Sequence, residues 1–195
     1  MNNAINYYRG WPHSGQYYDK INQISNDLYK YLINLPNLGK KYTAIFDIDD
    51  TLVFTDPVNL YPNKKFPMNW FPGYMIFPPI PQIVSICKLC YDLGFKIIII
   101  TARPYESESS SIKNLELMGI KYHEMYHNKQ YPDINFKIQL KKKLALTNNI
   151  ALAIGDQWPD IQGIEGCLCI KLPSIQEQKA YFTYDNKSYY IINQY

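Results

Sequence analysis

A short apolar run that ends in acidic residues constrains the fold of this chain more than any other stretch. Residues 42–46, Tyr-Thr-Ala-Ile-Phe, predict a strand that is buried on both faces. Asp47 follows directly, and Asp49 points roughly the same way if the chain stays extended. Carboxylates about 4 Å apart repel by about 4 kcal/mol at an effective dielectric constant of about 20, so a cation, a shared proton or open water must relieve them. The stretch indicates metal-assisted chemistry or, alternatively, a strand followed by an acidic capping turn.

Apolar periodicity predicts helices that alternate with further strands. From Tyr17 to Leu35, apolar residues recur every three or four positions, which predicts an amphipathic helix that packs on the core. Residues 54–79 are rich in proline and aromatic residues, and regular structure is not expected there. The remaining pattern predicts helices at 81–93, 105–118 and 136–148, and strands at 96–100, 120–127, 150–154 and 167–172.

This alternation predicts an α/β fold, with a central parallel sheet flanked by helices. Three predicted strands end in a polar group, namely Asp47, Thr101 and Asp156. Ligand sites of open α/β sheets lie beyond the carboxyl ends of the strands. We therefore expect these three side chains to meet at one edge of the sheet, together with Asp49 and Asp160.

A site with so many carboxylates calls for a hard divalent cation, and oxygen-only ligands favour Mg²⁺. Magnesium in turn suits a phosphate substrate, whose oxygens complete the coordination of the metal. An aspartate can attack phosphorus and form an aspartyl-phosphate, while a second carboxyl group protonates the leaving oxygen and later activates water. Lys137 or a neighbouring lysine would offset the negative charge.

Four motifs in this order resemble those of the haloacid dehalogenase-like (HAD) phosphohydrolase superfamily. They are Asp47-Ile48-Asp49-Asp50-Thr51, the strand end at Thr101, a downstream lysine, and Gly155-Asp156-Gln157-Trp158-Pro159-Asp160. The likeness is closer to the acid phosphatase branch, which includes class B and class C bacterial enzymes and plant vegetative storage proteins. Residues 46–52, residues 154–160 and the tripeptide Lys171-Leu172-Pro173 carry it. The resemblance implies a single Rossmann-like domain with a minimal cap.

The resemblance also implies catalytic roles for the matching residues. Asp47 is then the nucleophile, and Asp49 is the general acid/base. Thr101 binds the transferring phosphoryl group. Lys137 best matches the lysine of the family motif because it follows an aromatic residue, and Lys141 is the alternative.

The same resemblance implies a magnesium site. Asp47 and Asp156 are its carboxylate ligands, and Asp49 contributes its backbone carbonyl. Asp160 does not bind the metal directly; it either supports the ligands or binds through a water molecule. Asp50 is expected to cap a helix. Arg103 either reaches phosphate or forms a surface ion pair.

We therefore expect a Mg²⁺-dependent phosphomonoester hydrolase that acts on a small phosphorylated molecule. A nucleotidase or nucleic-acid end phosphatase is one alternative, and a non-catalytic binding or storage protein on the same fold is another. The net charge of +3 is too small to indicate a nucleic acid or membrane partner. The N-terminus lacks the apolar core of a signal peptide and no apolar run reaches membrane-spanning length, so we expect a cytoplasmic protein.

Length and local composition predict the domain organisation. The 195 residues suit one domain, with an N-terminal arm and helix over 1–40 and the phosphohydrolase core over 41–195. A short insert at 54–79 stands where the superfamily places its cap. Its aromatic residues either stack on a nucleobase or aryl group beside Lys64 and Lys65, or pin the loop to the body; they include Trp70, Phe71 and Tyr74.

Cysteines and histidines offer few further candidates. Cys87 and Cys90 lie in a predicted helix, whereas Cys167 and Cys169 lie in a predicted strand, so buried free thiols are expected rather than a zinc site. The histidines of residues 122–127 are expected to be surface or packing residues; they are His123 and His127.

Overall fold

The computed structural model of the chain describes residues 14–35, 41–55, 77–129, 133, 135–173 and 191–193. Helices and strands alternate through most of this part, as the apolar pattern predicts. The helices are α1 (Ser14–Ile33), α2 (Pro81–Asp92), α3 (Glu108–Leu117), α4 (Phe136–Ala145) and α5 (Trp158–Ile161). The strands are β1 (Tyr42–Phe46), β2 (Lys96–Pro104), β3 (Glu124–Asn128), β4 (Asn149–Gly155), β5 (Leu168–Lys171) and β6 (Ile191–Asn193).

The strands form one sheet in the order β3-β2-β1-β4-β5-β6. Strands β1 to β5 are parallel, which confirms the predicted α/β fold, and β6 adds an antiparallel edge beside β5. Phe46 of β1 is level with Ile99 of β2 and Ile154 of β4. The strand order reverses between β1 and β4, and this switch point is where such sheets bind ligands.

Alternate residues of the central strands pack on opposite faces of the sheet. Phe46, Ile97 and Ile154 belong to a cluster that includes the buried side chains of α1 and α2. Ile45 and Ala153 belong to a second cluster with residues from α4 and α5. The period of two in a strand thus buries both faces of β1, β2 and β4. This three-layer arrangement leaves the carboxyl ends of the strands free to carry a site.

Several predicted boundaries shift by one to four residues, and two of these shifts have a visible cause. Strand β2 continues to Pro104, four residues beyond the predicted end, because Pro104 pairs with Asn128 of β3 after an irregularity in the register. Thr101 and Arg103 therefore lie within the strand. Helix α4 ends at Ala145 rather than at Asn148 because the chain turns there, and the amide and side chain of Asn148 both donate to the carbonyl of Leu144.

The thiols occupy the predicted elements. Cys87 and Cys90 are buried in α2, and Cys169 is buried in β5 with Cys167 just before it. The two pairs belong to core clusters on opposite faces of the sheet. In the described part of the chain, no helix is long and apolar enough to cross a membrane. Trp70, Phe71, Tyr74, Lys64 and Lys65 lie outside the described residues, so the cap-like insert stays a prediction.

Candidate active site

Asp47 lies at the carboxyl end of the central strand, where a tight turn follows. Its amide donates to the carbonyl of Ile154 at 3.1 Å, which extends the ladder with β4. The carbonyl of Ile48 then accepts from the amides of residues 51, 52 and 53. Asp50 takes a positive φ of 52° in this turn, and its carboxylate accepts from the Thr55 amide at 2.8 Å. The predicted helix-capping role of Asp50 is therefore wrong, because the residue closes a turn and the described residues that follow it, 51–55, are not helical.

Three buried carboxylates meet beside this turn. Oxygens of Asp47, Asp156 and Asp160 all lie within 4.8 Å of one another, and each residue is 4% exposed. Asp156 follows β4 and Asp160 lies in α5, so the switch point brings together residues that are distant in sequence. The pKa of Asp47 is raised to about 7, chiefly because its carboxyl is buried. The nearby carboxylates of Asp160 and Asp49 raise this pKa further, whereas Lys137 lowers it. Burial, with Asp47 and Asp160 nearby, also raises the pKa of Asp156 well above its usual range.

Lys137 supplies a buried positive charge to this cluster. Its Nζ lies 2.6 Å from Asp47 Oδ1 and 2.5 Å from Asp160 Oδ1. Burial alone would lower the pKa of Lys137, but the two carboxylates outweigh it and raise that pKa. Lys141, one turn further along α4, donates instead to the carbonyl of Pro159, and burial lowers its pKa to about 8. Of the two candidate lysines, Lys137 is thus the one that contacts the predicted nucleophile.

Two residues that the sequence analysis left without a role shape the acidic cluster. Gly155 packs against Asp160, and a Cβ on this glycine would lie 2.1 Å from the Asp160 Cβ. The Gln157 amide donates to Asp160 Oδ2 at 2.8 Å, and its side-chain amide donates to Asp156 Oδ2 at 2.6 Å. A glutamine followed three residues later by an acid is a capping-box spacing, and that signal could have identified Gln157.

Asp49 points its carboxylate at Arg103 rather than at the other acids. Arg103 Nε donates to the two oxygens of Asp49 at 3.1 and 2.9 Å, and Nη2 donates to Oδ1 at 2.7 Å. Arg103 is only 1% exposed, so the expected surface ion pair is wrong. The side chain is buried because β2 continues through this residue. The fully buried Thr101 hydroxyl accepts from the Arg103 amide at 3.1 Å.

The two histidines differ in environment. His123 is exposed, and its Nδ1 accepts from the Ile97 amide at 3.0 Å. His127 is 4% exposed, and its Nε2 lies 3.2 Å from the hydroxyl of Ser111. Neither histidine contacts the three acids.

The chemistry of the cluster fits a divalent cation. The ionised forms of Asp47, Asp156 and Asp160 carry three negative charges, and Lys137 neutralises one of them. All three side chains offer only oxygen, which is the ligand that Mg²⁺ prefers. A divalent cation would balance the remaining charge and lower the cost of burying these groups.

The parallel sheet with helices on both faces and an acidic site at its switch point makes this chain a doubly wound α/β protein. The chain belongs within this class to the HAD superfamily, subfamily IIIB (acid phosphatase), whose family pattern matches residues 2–192.

The chain is also similar to curated proteins and to solved structures. The chain is 26% identical over 164 residues to the stem 28 kDa and stem 31 kDa glycoproteins of Glycine max, which covers 77% of this chain and 64% and 56% of those proteins. The chain thus spans about three fifths of the length of these curated relatives. Class C acid phosphatase from Bacillus anthracis superposes with a TM-score of 0.63 at 18% identity, covering 85% of this chain and 71% of that one. Its structure with tungstate bound gives 0.60 over the same shares.

Proposed function

We propose that this protein is a Mg²⁺-dependent phosphomonoesterase that acts through an aspartyl-phosphate on Asp47. The observation that carries the proposal is the meeting of Asp47, Asp156, Asp160 and Lys137 at the carboxyl edge of the sheet. Family membership supports the same chemistry, because this subfamily comprises acid phosphatases.

Asp47, Asp156 and the backbone carbonyl of Asp49 would hold the metal, with Asp160 binding through water. When bound, the metal would neutralise charge on the carboxylates and on the phosphoryl oxygens. The carboxylate oxygens of Asp160 already accept from Lys137 and from the Gln157 amide, which suits a residue that binds the metal through water rather than directly.

The side chains of the chain itself account for the two chemical steps. Asp47 attacks phosphorus and the phosphorus–oxygen ester bond breaks, while Asp49 gives its proton to the leaving oxygen. Lys137 and the Thr101 hydroxyl bind phosphoryl oxygens, and Lys137 keeps Asp47 oriented. Asp49 then takes a proton from a water molecule that attacks the aspartyl-phosphate, and phosphate and free Asp47 result. The Asp49 side chain is 24% exposed, so both a leaving group and water can reach it.

Hydrolysis of p-nitrophenyl phosphate tests this proposal. We expect turnover with Mg²⁺, loss of turnover in EDTA, and loss in Asp47→Asn. The matched control is Lys143→Met, which changes an exposed lysine of α4 and should keep full activity. Tungstate, the ligand of one class C structure, should inhibit competitively. Equal turnover by Asp47→Asn, or turnover unaffected by EDTA, would refute the mechanism.

The substrate is proposed to be a small phosphorylated molecule. A panel of phosphorylated metabolites, nucleotides and oligonucleotide ends would separate a general phosphomonoesterase from a nucleotidase or an end phosphatase. No turnover of any panel member, with Mg²⁺ bound, would favour the non-catalytic alternative.

A further inference from the structure

A buried polar chain leads away from Asp49 into the body of the protein. Beyond its contacts with Asp49, Arg103 donates through Nη1 to the hydroxyl of Ser111 at 3.2 Å. The same hydroxyl lies 3.2 Å from His127 Nε2 and donates to the carbonyl of Ser107 at 3.0 Å. Arg103, Ser111 and His127 are at most 4% exposed, so water does not compete freely for these bonds.

The number of hydrogens fixes the direction of each bond. A serine hydroxyl has one hydrogen and can accept two hydrogen bonds. With the Ser111 hydrogen given to the Ser107 carbonyl, and with Arg103 able only to donate, the remaining bond is donated by His127 from Nε2. Burial lowers the pKa of His127, with Arg103 adding to the effect and Glu108 and Asp49 opposing it, and this favours the neutral ring that the arrangement needs. In this arrangement, His127 and Arg103 both donate to the hydroxyl oxygen of Ser111.

We propose that His127 and Ser111 are positioning residues, which hold Arg103 in the orientation that aims the Asp49 carboxyl at the leaving group. This inference rests on the proposed function, because it assigns the acid/base role to Asp49. The three residues come from β2, α3 and β3, so the packing of three elements sets the direction of one carboxyl group.

Ser111 binds a part of the Arg103 side chain that the contacts with Asp49 do not use. The Asp49 contacts use Nε and Nη2, and the Phe77 ring lies 5.5 Å from the guanidinium carbon. The Ser111 hydroxyl accepts from the other terminal nitrogen, Nη1, where it opposes rotation of the guanidinium plane. If the plane turns, the paired and partly exposed Asp49 carboxyl turns with it. Errors of about 1 Å in such a group can cost about 100-fold in rate.

The chain contains a closely matched control for Ser111. Ser110 is also buried in α3, and its hydroxyl also donates to the Ser107 carbonyl, at 2.9 Å, whereas Arg103 donates to Ser111. We compare kcat/KM for Ser111→Ala and Ser110→Ala on p-nitrophenyl phosphate and on an alkyl phosphate. An alkoxide needs a proton in order to leave, whereas p-nitrophenolate does not, so displacement of the acid should penalise the alkyl substrate selectively. We expect Ser111→Ala to lose about 10- to 100-fold on the alkyl phosphate, little on p-nitrophenyl phosphate, and Ser110→Ala to lose equally little on both.

Substitutions of His127 test the direction of the bond. Glutamine carries an N–H donor at the position of the histidine Nε2, so His127→Gln should keep the wild-type ratio between the two substrates. His127→Leu, which has no donor, should behave as Ser111→Ala does. Nitrogen-15 NMR of the metal-free wild type should show His127 with its hydrogen on Nε2, and a slowly exchanging Arg103 Nε–H that exchanges faster in Ser111→Ala.

The outcomes separate this inference from the proposed function. An active wild type whose substrate ratio is unchanged in both Ser111→Ala and His127→Leu would overturn the inference alone. A hydrogen on Nδ1 of His127 would overturn it as well, without any measurement of activity. Absence of turnover in the wild type would refute the proposed function, even where NMR shows the expected hydrogen bonds.

Discussion

Gly155 shows how a single small residue can define an acidic site. No side chain fits at this position because the Asp160 carboxylate and its Cβ occupy the space within 2.4 Å. The backbone of Gly155 also accepts from the Leu172 amide at 2.8 Å and pairs with Lys171, which prevents a large shift. Asp160 can therefore reach Lys137 only because residue 155 lacks a Cβ.

Gly155→Ala is expected to move Asp160 and to weaken the metal site. Overpacking of this kind costs about 1–3 kcal/mol of folding free energy. Calorimetry with Mg²⁺ should show reduced affinity together with a lower melting temperature. The control is Gly166→Ala, where φ is +69° and nothing lies near the new Cβ, so it should cost about 1–2 kcal/mol of stability from backbone strain and leave the affinity for Mg²⁺ unchanged.

Asp47 makes the stability of the metal-free protein depend on pH. Its pKa is about 7 in the folded protein and about 3.9 in the unfolded chain, so the folded state binds the proton more tightly. The resulting stabilisation is complete below about pH 4 and is lost as the pH rises through about 7. In EDTA, the melting temperature of the wild type relative to that of Asp47→Asn should therefore be lower at pH 8 than at pH 5.

The comparison with Asp47→Asn is needed because His127 acts in the opposite direction. Its pKa is lowered, so its contribution to stability increases with pH up to about 6.5, and both proteins share it. A difference between the two melting temperatures that stays constant from pH 5 to pH 8 would contradict the raised pKa of Asp47.

At the scale of elements, α4 presents two buried lysines on one face and two exposed lysines on another. Lys137 and Lys141 are four residues apart, so both project towards the site, while Lys142 and Lys143 are exposed. Lys141 ties α4 to α5 through its bond to the Pro159 carbonyl. The helix thus places one charge beside Asp47 and the other against the segment that presents Asp160.

Lys141→Met should loosen α5 while leaving the Lys137 contacts in place. Loss of the bond leaves the Pro159 carbonyl without this donor, which costs about 1–3 kcal/mol. Chemical denaturation would measure this loss, and Lys143→Met should stay within about 0.5 kcal/mol of the wild type. Equal stability of the two variants would show that the tie between α4 and α5 contributes nothing.

Local composition explains which elements could be predicted. Strand β1 and helix α2 follow from apolar runs with clear ends, and both begin at the predicted residue. Helix α5 has four residues and β6 has three, too few to show a period, so neither was predicted. The pairing of Asp49 with Arg103 was missed for another reason: it depends on how far β2 extends, and that is decided by pairing with β3.

At the scale of the whole molecule, a bound metal should stabilise the fold. Asp47 and Asp156 join β1 and β4 at the switch point, so an ion between them binds only the folded chain. Binding at about 100 times the dissociation constant contributes about 2.7 kcal/mol, which for a protein of this size raises the melting temperature by about 5–10 °C. Scanning calorimetry should show this shift with MgCl₂, but not with KCl of equal ionic strength. The same shift in Asp156→Asn would place the ion elsewhere.

The central position of β1 has a consequence for synthesis of the protein. Both of its neighbours, β2 and β4, come later in the chain, and Lys137 follows Asp47 by 90 residues. A nascent polypeptide that has just left the ribosome with β1 carries Asp47 without Lys137 and without the acids that meet it in the folded protein. On the proposed mechanism, activity requires that α5 has emerged, so shorter translation products should be inert.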